Sequence, residues 1–139
     1  MKKLRFWAAC AAFGALTLAV SCGGGAAVEN LRVAALEQPS AVDSATPDFS
    51  WSMTSAERGA SQSSYRIVVA EDQSMNSVVW DSGVVASDES VGILYGSTGS
   101  AQKLAPETDY FWQVEVVDNN ARTLRAASRF STGLMNPAQ

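Results

Sequence analysis

The alternation of apolar and polar residues over positions 108–118 restricts the fold more than any other feature of this 139-residue chain. It places Tyr110 and Trp112, followed by two valines, on one face of an extended strand. The polar run Asp118–Ala121 then predicts a hairpin turn in which Asn residues adopt positive φ, and residues 124–130 supply the return strand. The sequence therefore predicts a long β-hairpin with one buried face.

Shorter runs of β-forming residues precede the hairpin, and turn residues separate them at the intervals of a β-sandwich. The predicted strands are residues 31–33, 48–53, 64–70, 78–81 continued after a turn or bulge by 84–85, 91–95, 108–118 and 124–130. We therefore expect an all-β monomer over residues 30–132, a seven-stranded antiparallel immunoglobulin-like β-sandwich. Its expected core holds the large aromatic residues Trp51, Tyr65, Tyr110 and Trp112.

The segment before the strongest strand supports this fold. Leu104, Pro106, Thr108 and Tyr110 have the spacing of the tyrosine corner of fibronectin type III modules. In such a corner the tyrosine hydroxyl bonds a backbone group a few residues upstream and holds the turn that precedes its strand. We expect Tyr110 to make that bond, which makes the sandwich fibronectin type III-like.

Residues 1–21 are organised as an export signal of the lipoprotein type. A short basic start precedes an apolar run over residues 6–20, which is shorter than the roughly 20 residues that a spanning helix needs. The small residues Ala19–Ser21 before Cys22 resemble the bacterial lipobox, in which the cysteine becomes the first mature residue and carries acyl chains. Cleavage at an Ala-x-Ser site, which releases a soluble secreted protein, and an uncleaved leader are the alternatives.

Cys22 is the expected lipid attachment site. Cys10 lies in the leader, so Cys22 would be the only cysteine of the mature chain and would have no partner for an intrachain disulfide. A multiply acylated Cys22 would anchor the protein stably in the bacterial cell envelope, with residues 22–29 as a short Gly-rich tether. Loss of Lys2, Lys3 and Arg5 with the leader changes the net charge from −4 to −7, which disfavours nucleic acid as a partner.

Two spaced motifs resemble those of a known family. The first combines Glu57-Arg58-Gly59 and Gln62 with Ser64-Tyr65-Arg66-Ile67, and the second combines Trp80-Asp81-Ser82-Gly83 with Val85, Ser87-Asp88 and Ser90. With residues 31–51 and 104–119, this ordered set resembles the N-terminal fibronectin type III-like domain of bacterial α-L-rhamnosidases. The resemblance extends over roughly residues 29–137.

The resemblance implies a long enzyme in which this domain precedes further β-sandwich modules and an (α/α)₆ barrel. The barrel carries the catalytic carboxylates and acts by inversion. Residues 133–139 resemble the start of the link to the next domain. We therefore expect a non-catalytic accessory module of a lipid-anchored rhamnosidase, in a truncated form or fragment without the barrel. A self-standing surface lipoprotein that binds glycan or protein is the alternative.

The residues of the domain itself indicate no catalytic, metal or cofactor site. Asp81, Asp88 and Glu89 lie close in sequence, but solvated loop charge is favoured over a carboxylate pair or a Ca²⁺ site. The chain has no His, which excludes His-based triads and His metal ligands. The Gly-rich run 96–100 lacks the Lys of a phosphate loop, and we expect it to be a mobile connection.

Two aromatic residues are candidates for contacts outside the domain. The rings of Trp80 and Phe111 are suited to stacking on a sugar if they are exposed. Packing against a neighbouring domain or strand is the favoured interpretation, because the resemblance implies that other domains dock on such surfaces.

Overall fold

The hairpin predicted from residues 108–130 forms the centre of the larger of two sheets in the computed structural model, which describes residues 25–135. The strands are β1 (Ala27–Val33), β2 (Asp48–Thr54), β3 (Gln62–Ala70), β4 (Val78–Asp81), β5 (Ile93–Leu94), β6 (Asp109–Asp118) and β7 (Thr123–Ser131). A three-stranded sheet of order β1-β2-β5 packs on a four-stranded sheet of order β4-β3-β6-β7. The predicted seven-stranded antiparallel sandwich is confirmed.

The β6–β7 hairpin pairs without interruption from Asp109–Ser131 to Val117–Thr123. Its turn differs from the prediction, because the residue with positive φ is Ala121 (60°) and not an asparagine. The Asp118 carboxylate explains the difference, since it accepts hydrogen bonds of 2.9 Å from the backbone N–H groups of Asn120 and Arg122. The turn is therefore stabilised by the Asp118 side chain and not by the conformations of the Asn residues that the sequence suggested.

The core lies between the sheets and contains three tryptophans where the sequence indicated two. Trp51, Trp80 and Trp112 are at most 2% exposed. Tyr65 packs edge-on against Trp51 at 5.3 Å, and Tyr110 stacks on Phe130 at 5.4 Å. Burial of this apolar core, to which the aromatic rings contribute, stabilises the sandwich, and the segment 25–135 contains no cysteine that could add a disulfide.

Strand β1 begins earlier than predicted. Residues 27–29, which the sequence assigned to the tether, pair with residues 52–54 of β2. A register shift follows between Glu29 and Arg32, where Asn30 has a φ of 55°. The Ala-rich start of this strand has no alternation that would have identified it. The predicted leader, Cys22, residues 22–24 of the tether and residues 136–139 lie outside the described residues.

The segment 82–92 covers one side of the sandwich and is less regular than expected. Val84 does not extend β4, and Val85 instead exchanges two backbone hydrogen bonds of 2.8 and 3.0 Å with Tyr65 of β3. The chain then crosses to the other sheet, where Trp51 N–H donates to Ser90 O at 2.9 Å. Strand β5 keeps only two residues of the predicted 91–95, because Gly92 precedes it with a φ of 72°.

The described chain starts at one end of the sandwich and leaves at the other, as an odd number of strands requires. The end where β1 begins, called here the N-terminal end, also holds the β2–β3 and β6–β7 turns. At the opposite C-terminal end, Ser131 N–H donates to Pro39 O at 2.8 Å and Thr132 bridges Val42 in parallel. Between residues 25 and 135 there is no helix with the length and apolarity needed to cross a membrane.

Candidate functional site

Trp80 lies in the core and not on the surface. It is 0% exposed and contacts Phe49 and Tyr95 at centroid distances of 5.9 and 5.1 Å. Its indole N–H donates to Thr98 O at 2.7 Å, and its backbone bridges Ala101. The loop after β5 therefore covers the edge strand that carries this ring. A sugar or another domain cannot reach Trp80, since the ring has no exposed face, so that part of the prediction is wrong; the ring packs on Phe49 of a neighbouring strand, which the favoured interpretation included.

The Gly-rich loop 96–100, which we expected to be a mobile connection, is packed against the end of β4. Thr98 Oγ1 donates to Ser82 O at 2.9 Å. Gly99 has a φ of +70°, and a Cβ placed on it would lie 2.4 Å from Asp81 O. This close approach of two backbone segments requires glycine there.

Asp81 is engaged in an ion pair. Its two carboxylate oxygens accept hydrogen bonds from Arg66 Nε at 2.9 Å and from Arg66 Nη2 at 2.5 Å, and Gly83 N–H also donates to it. The hydrogen bond from Arg66 is the main reason why the pKa of Asp81 is lowered. A carboxyl group held ionised in this way is unsuited to act as a general acid. Asp88 and Glu89 are exposed, and residues 25–135 contain no cluster of three or more acidic, His or Cys side chains suited to a metal.

Gln62 is a buried polar anchor whose role the sequence did not reveal. Its Oε1 accepts the indole N–H of Trp51 at 2.9 Å, and its Nε2 donates to Ser87 O at 3.0 Å and Glu89 O at 2.8 Å. One side-chain amide thereby ties β2, β3 and the crossing segment together. The available signal was a Gln two residues before the predicted strand 64–70, after a predicted strand that contains Trp51.

The N-terminal end of the sandwich is closed by charged side chains that satisfy one another. Arg122 Nε donates to Asp118 at 2.9 Å, and Arg122 Nη2 donates to Glu57 at 3.0 Å. Backbone N–H donation from Arg122 is the largest of the effects that lower the pKa of Asp118. Asn119 Nδ2 also bonds Gly59 O at 2.9 Å, which joins the two turns at this end.

A groove of about 250 Å³ opens on the outer face of the four-stranded sheet at the C-terminal end. Phe111 of β6 is half-buried in it, and its neighbour in register on β7 is Arg129. Met75 comes from the β3–β4 loop, and Gln38 comes from the β1–β2 connection. Arg129 Nε donates to Gln38 Oε1 at 3.3 Å. The remaining lining residues are Gln73, Ala127 and Ser128.

The loop that carries Met75 is held in shape by its own side chains. The Asp72 carboxylate accepts hydrogen bonds from Ser77 N–H at 2.7 Å and from Asn76 N–H at 3.1 Å, and these lower its pKa. Met75 N–H donates to Asp72 O at 3.1 Å, and Met75 has a φ of 58°. The wall of the groove is therefore formed before any ligand arrives.

Three large apolar side chains are exposed at the same C-terminal end. Leu36 is 59%, Leu94 50% and Leu134 74% exposed. Leu36 bridges back to Val33 at the end of β1, and Leu94 pairs with Asp48 at the start of β2. Leu134 follows Gly133, whose N–H donates to Val42 O.

The family model of the Rha78A-like N-terminal immunoglobulin domain matches residues 28–136. The chain belongs to this family. It is 40% identical over 108 residues to an α-L-rhamnosidase of Streptomyces avermitilis, covering 75% of this chain and 10% of that protein. It is 32% identical over 108 residues to an α-L-rhamnosidase of Formosa agariphila, covering 73% and 11%. The chain thus spans about a tenth of the length of these curated relatives.

The fold of this family is seen in a solved relative. The crystal structure of the Streptomyces avermitilis α-L-rhamnosidase in complex with L-rhamnose superposes with a TM-score of 0.72 at 37% identity, over 80% of this chain and 11% of that one. The resemblance to the N-terminal domain of α-L-rhamnosidases predicted from the two motifs is confirmed. In this Rha78A-like domain the motif residues Gln62, Arg66 and Trp80–Gly83 hold strands and loops together. They do not converge on a pocket.

Proposed function

We propose that this domain is the non-catalytic N-terminal accessory module of an exported bacterial α-L-rhamnosidase that degrades plant or microbial rhamnosides. The observation that carries the proposal is the match of residues 28–136 to the N-terminal immunoglobulin domain of such enzymes. The charged groups of the domain support it, since the carboxylates of Asp81 and Asp118 are committed to Arg66 and Arg122. The domain would help to position and stabilise the other domains of the enzyme and would supply no catalytic group.

The C-terminal end of the sandwich is the proposed contact with the next domain. The chain leaves the sandwich there, and Leu36, Leu94 and Leu134 are exposed at the same end. Exposed apolar side chains of this size are typical of surfaces that another domain covers. The opposite end is polar and has its charges paired internally, so it offers less to a docking partner.

A chimaera with the Streptomyces avermitilis enzyme tests the accessory role. Residues 28–136 of this chain replace the matching N-terminal segment, to which they are similar. We expect an active rhamnosidase whose melting temperature falls when Leu36, Leu94 and Leu134 are changed to Ser. Val91→Ser is the matched control, because Val91 is 75% exposed but lies before β5, away from the exit. Equal effects of both variants would contradict docking at this end, and an inactive chimaera would contradict the accessory role.

The isolated chain provides the complementary test of the absence of catalysis. We expect the purified protein not to hydrolyse an aryl α-L-rhamnoside. Turnover that persists through repurification and disappears in Asp81→Asn or Asp88→Asn would contradict the proposal.

We also propose that Cys22 is lipidated and holds the module at the outer membrane of the cell envelope, on its periplasmic or outer surface. The support is the sequence Ala19–Cys22 at the end of an apolar leader. Cells that express the full chain should incorporate labelled palmitate into it, and Cys22→Ala should abolish the label. A processed but unlabelled wild-type protein would contradict lipidation and leave the accessory role intact.

A further inference from the structure

We propose that the groove at Phe111 binds a single 6-deoxy pyranose ring of the L-rhamnose kind. This inference does not depend on the anchoring or on the accessory role proposed above. It starts from the position of Phe111, which lies on the outer face of β6 between Ala70 of β3 and Arg129 of β7 in register. Its neighbours on that face of β6 are the polar Gln113 and Glu115. A large apolar ring among them has no role in the core.

Three of the residues that line the groove are apolar. Met75 and Ala127 lie beside Phe111 among its lining residues. The C–H face of a pyranose stacks on an aromatic ring, and the methyl group of a 6-deoxy sugar suits a neighbouring thioether and methyl surface. The hydrogen bonds of Asp72 fix the backbone of the loop that carries Met75, so this backbone does not have to be ordered when the ring binds.

Other residues that line the groove are polar, and three of them have planar polar groups. Arg129 presents a guanidinium, while Gln38 and Gln73 present amides, and such groups match the paired hydroxyls of a sugar. Arg66, Arg122 and Arg125 each pair with a carboxylate. Within residues 25–135, Arg129 has no carboxylate at salt-bridge distance, and its Nε bonds the Gln38 amide. The guanidinium is thus oriented and retains N–H donors for a ligand.

The size of the groove suits a ligand of one ring. Its volume of about 250 Å³ lies below the roughly 300–1,000 Å³ of pockets that enclose drug-sized molecules. One sugar ring on one aromatic platform is expected to bind with a dissociation constant in the millimolar range.

The test is a ¹H–¹⁵N titration of the purified chain with L-rhamnose. We expect the chemical shifts of the backbone N–H groups of Met75 and Phe111, and of the Arg129 Nε–H group, to change with L-rhamnose concentration along one saturable binding curve. Tryptophan fluorescence is unsuited here, because Trp51, Trp80 and Trp112 are buried away from the groove. A wild-type protein whose groove signals do not move with millimolar L-rhamnose would overturn the proposal.

Variants distinguish the groove from non-specific contact. Phe111→Ala should abolish saturation, and Arg129→Ala should weaken binding about tenfold. Arg125→Ala is the matched control, since Arg125 is on the same strand and face but pairs with Glu115 at 2.7 Å. All three side chains are on the outer face, and a folded spectrum of each variant verifies that the domain is intact. Unchanged binding in Phe111→Ala, or equal weakening by both Arg variants, would contradict the site.

Discussion

The two ends of the sandwich differ in the interactions that stabilise them. Towards the C-terminal end, Phe49 contacts Trp80, Trp112 and Phe130 at centroid distances of 5.9, 4.8 and 5.9 Å. At the N-terminal end, the guanidinium of Arg122 binds the buried carboxylate of Asp118 in its own turn and the carboxylate of Glu57 in the β2–β3 turn. One end is stabilised by apolar area and the other by satisfied polar groups.

The two ends also differ in whether their surface side chains have partners within the domain. The N-terminal end uses its charges internally, because Arg122 binds both Asp118 and Glu57. The C-terminal end leaves Leu134 and the Phe111 groove facing outward. The two ends therefore offer different surfaces to other molecules, which suits the proposed placement of the module between a lipid anchor and a following domain.

Loss of an aromatic ring from the C-terminal end should have the largest effect. Trp80→Ala removes a fully buried ring that contacts Phe49 and Tyr95, and we expect a loss of about 3–5 kcal/mol in the free energy of unfolding. Phe111→Ala is the control on the outer face, with an expected loss under about 1 kcal/mol. Urea denaturation measures both, and equal losses would contradict the inner and outer positions of the two rings.

This pair of aromatic residues also shows how far the sequence predicts the structure. Phe111 lies in a strand of ten residues. The period of two in this strand places the Phe111 side chain on the face opposite to that of Tyr110 and Trp112. Trp80 lies in an edge strand of four residues in which Val79 and Trp80 are both buried. A register shift opposite this strand at Val69–Ala70 breaks the alternation, so no pattern in the sequence could assign its faces.

The candidate site was predictable only in part for a related reason. Phe111 was identified as a possible contact from its residue type and its strand. Its partners Gln38, Met75 and Arg129 come from three separate parts of the chain, and tertiary structure alone brings them together. The role of Gln62 was hidden in the same way, because its carbonyl partners belong to an irregular segment.

Loss of the buried amide at the N-terminal end should have the next largest effect. Gln62→Leu leaves the indole N–H of Trp51 and the carbonyls of Ser87 and Glu89 without their partner, at an expected cost of about 2–3 kcal/mol. Gln73→Leu, at an exposed position, should change stability by less than about 0.5 kcal/mol. Thermal unfolding of the two variants compares a polar anchor with a polar surface group, and similar melting temperatures would refute the anchor.

Removal of one hydroxyl group at the C-terminal end should have a smaller effect. Tyr110 Oη accepts the backbone N–H of Ala105 at 2.8 Å, which is the bond predicted for a tyrosine corner. Tyr110→Phe keeps the stacking on Phe130 and should cost about 1 kcal/mol in unfolding free energy. Tyr65→Phe is the matched control, because the Tyr65 hydroxyl makes no hydrogen bond within residues 25–135. If both variants lose the same stability, the corner bond contributes nothing.

Loss of the ion pair between Arg66 and Asp81, on the outer face of the four-stranded sheet, should have the smallest effect on the free energy of unfolding. This effect should depend on pH. The side chains of Arg66 and Asp81 are 43% and 39% exposed, so solvent screens the pair and Asp81→Asn should cost only about 0.5 kcal/mol at pH 7. The pKa of Asp81 is lowered in the folded state, chiefly by the hydrogen bond from Arg66. Its contribution is therefore present above the unfolded pKa of about 3.9 and is lost as the pH falls through the lower folded value.

Unfolding free energies measured across this acid range test the sign of that dependence. The difference between wild type and Asp81→Asn should shrink as the pH falls below about 4. The variant should still lose stability in acid, because Asp118 at the N-terminal end has a lowered pKa of the same sign. A difference that stays constant down to low pH would mean that Asp81 acts through its shape and hydrogen bond to Gly83 and not through its charge. That result would leave the buried carboxylate of Asp118 as the acid-sensitive group. The pH dependence of stability would then arise at the N-terminal end and not at the ion pair on the outer face of the four-stranded sheet.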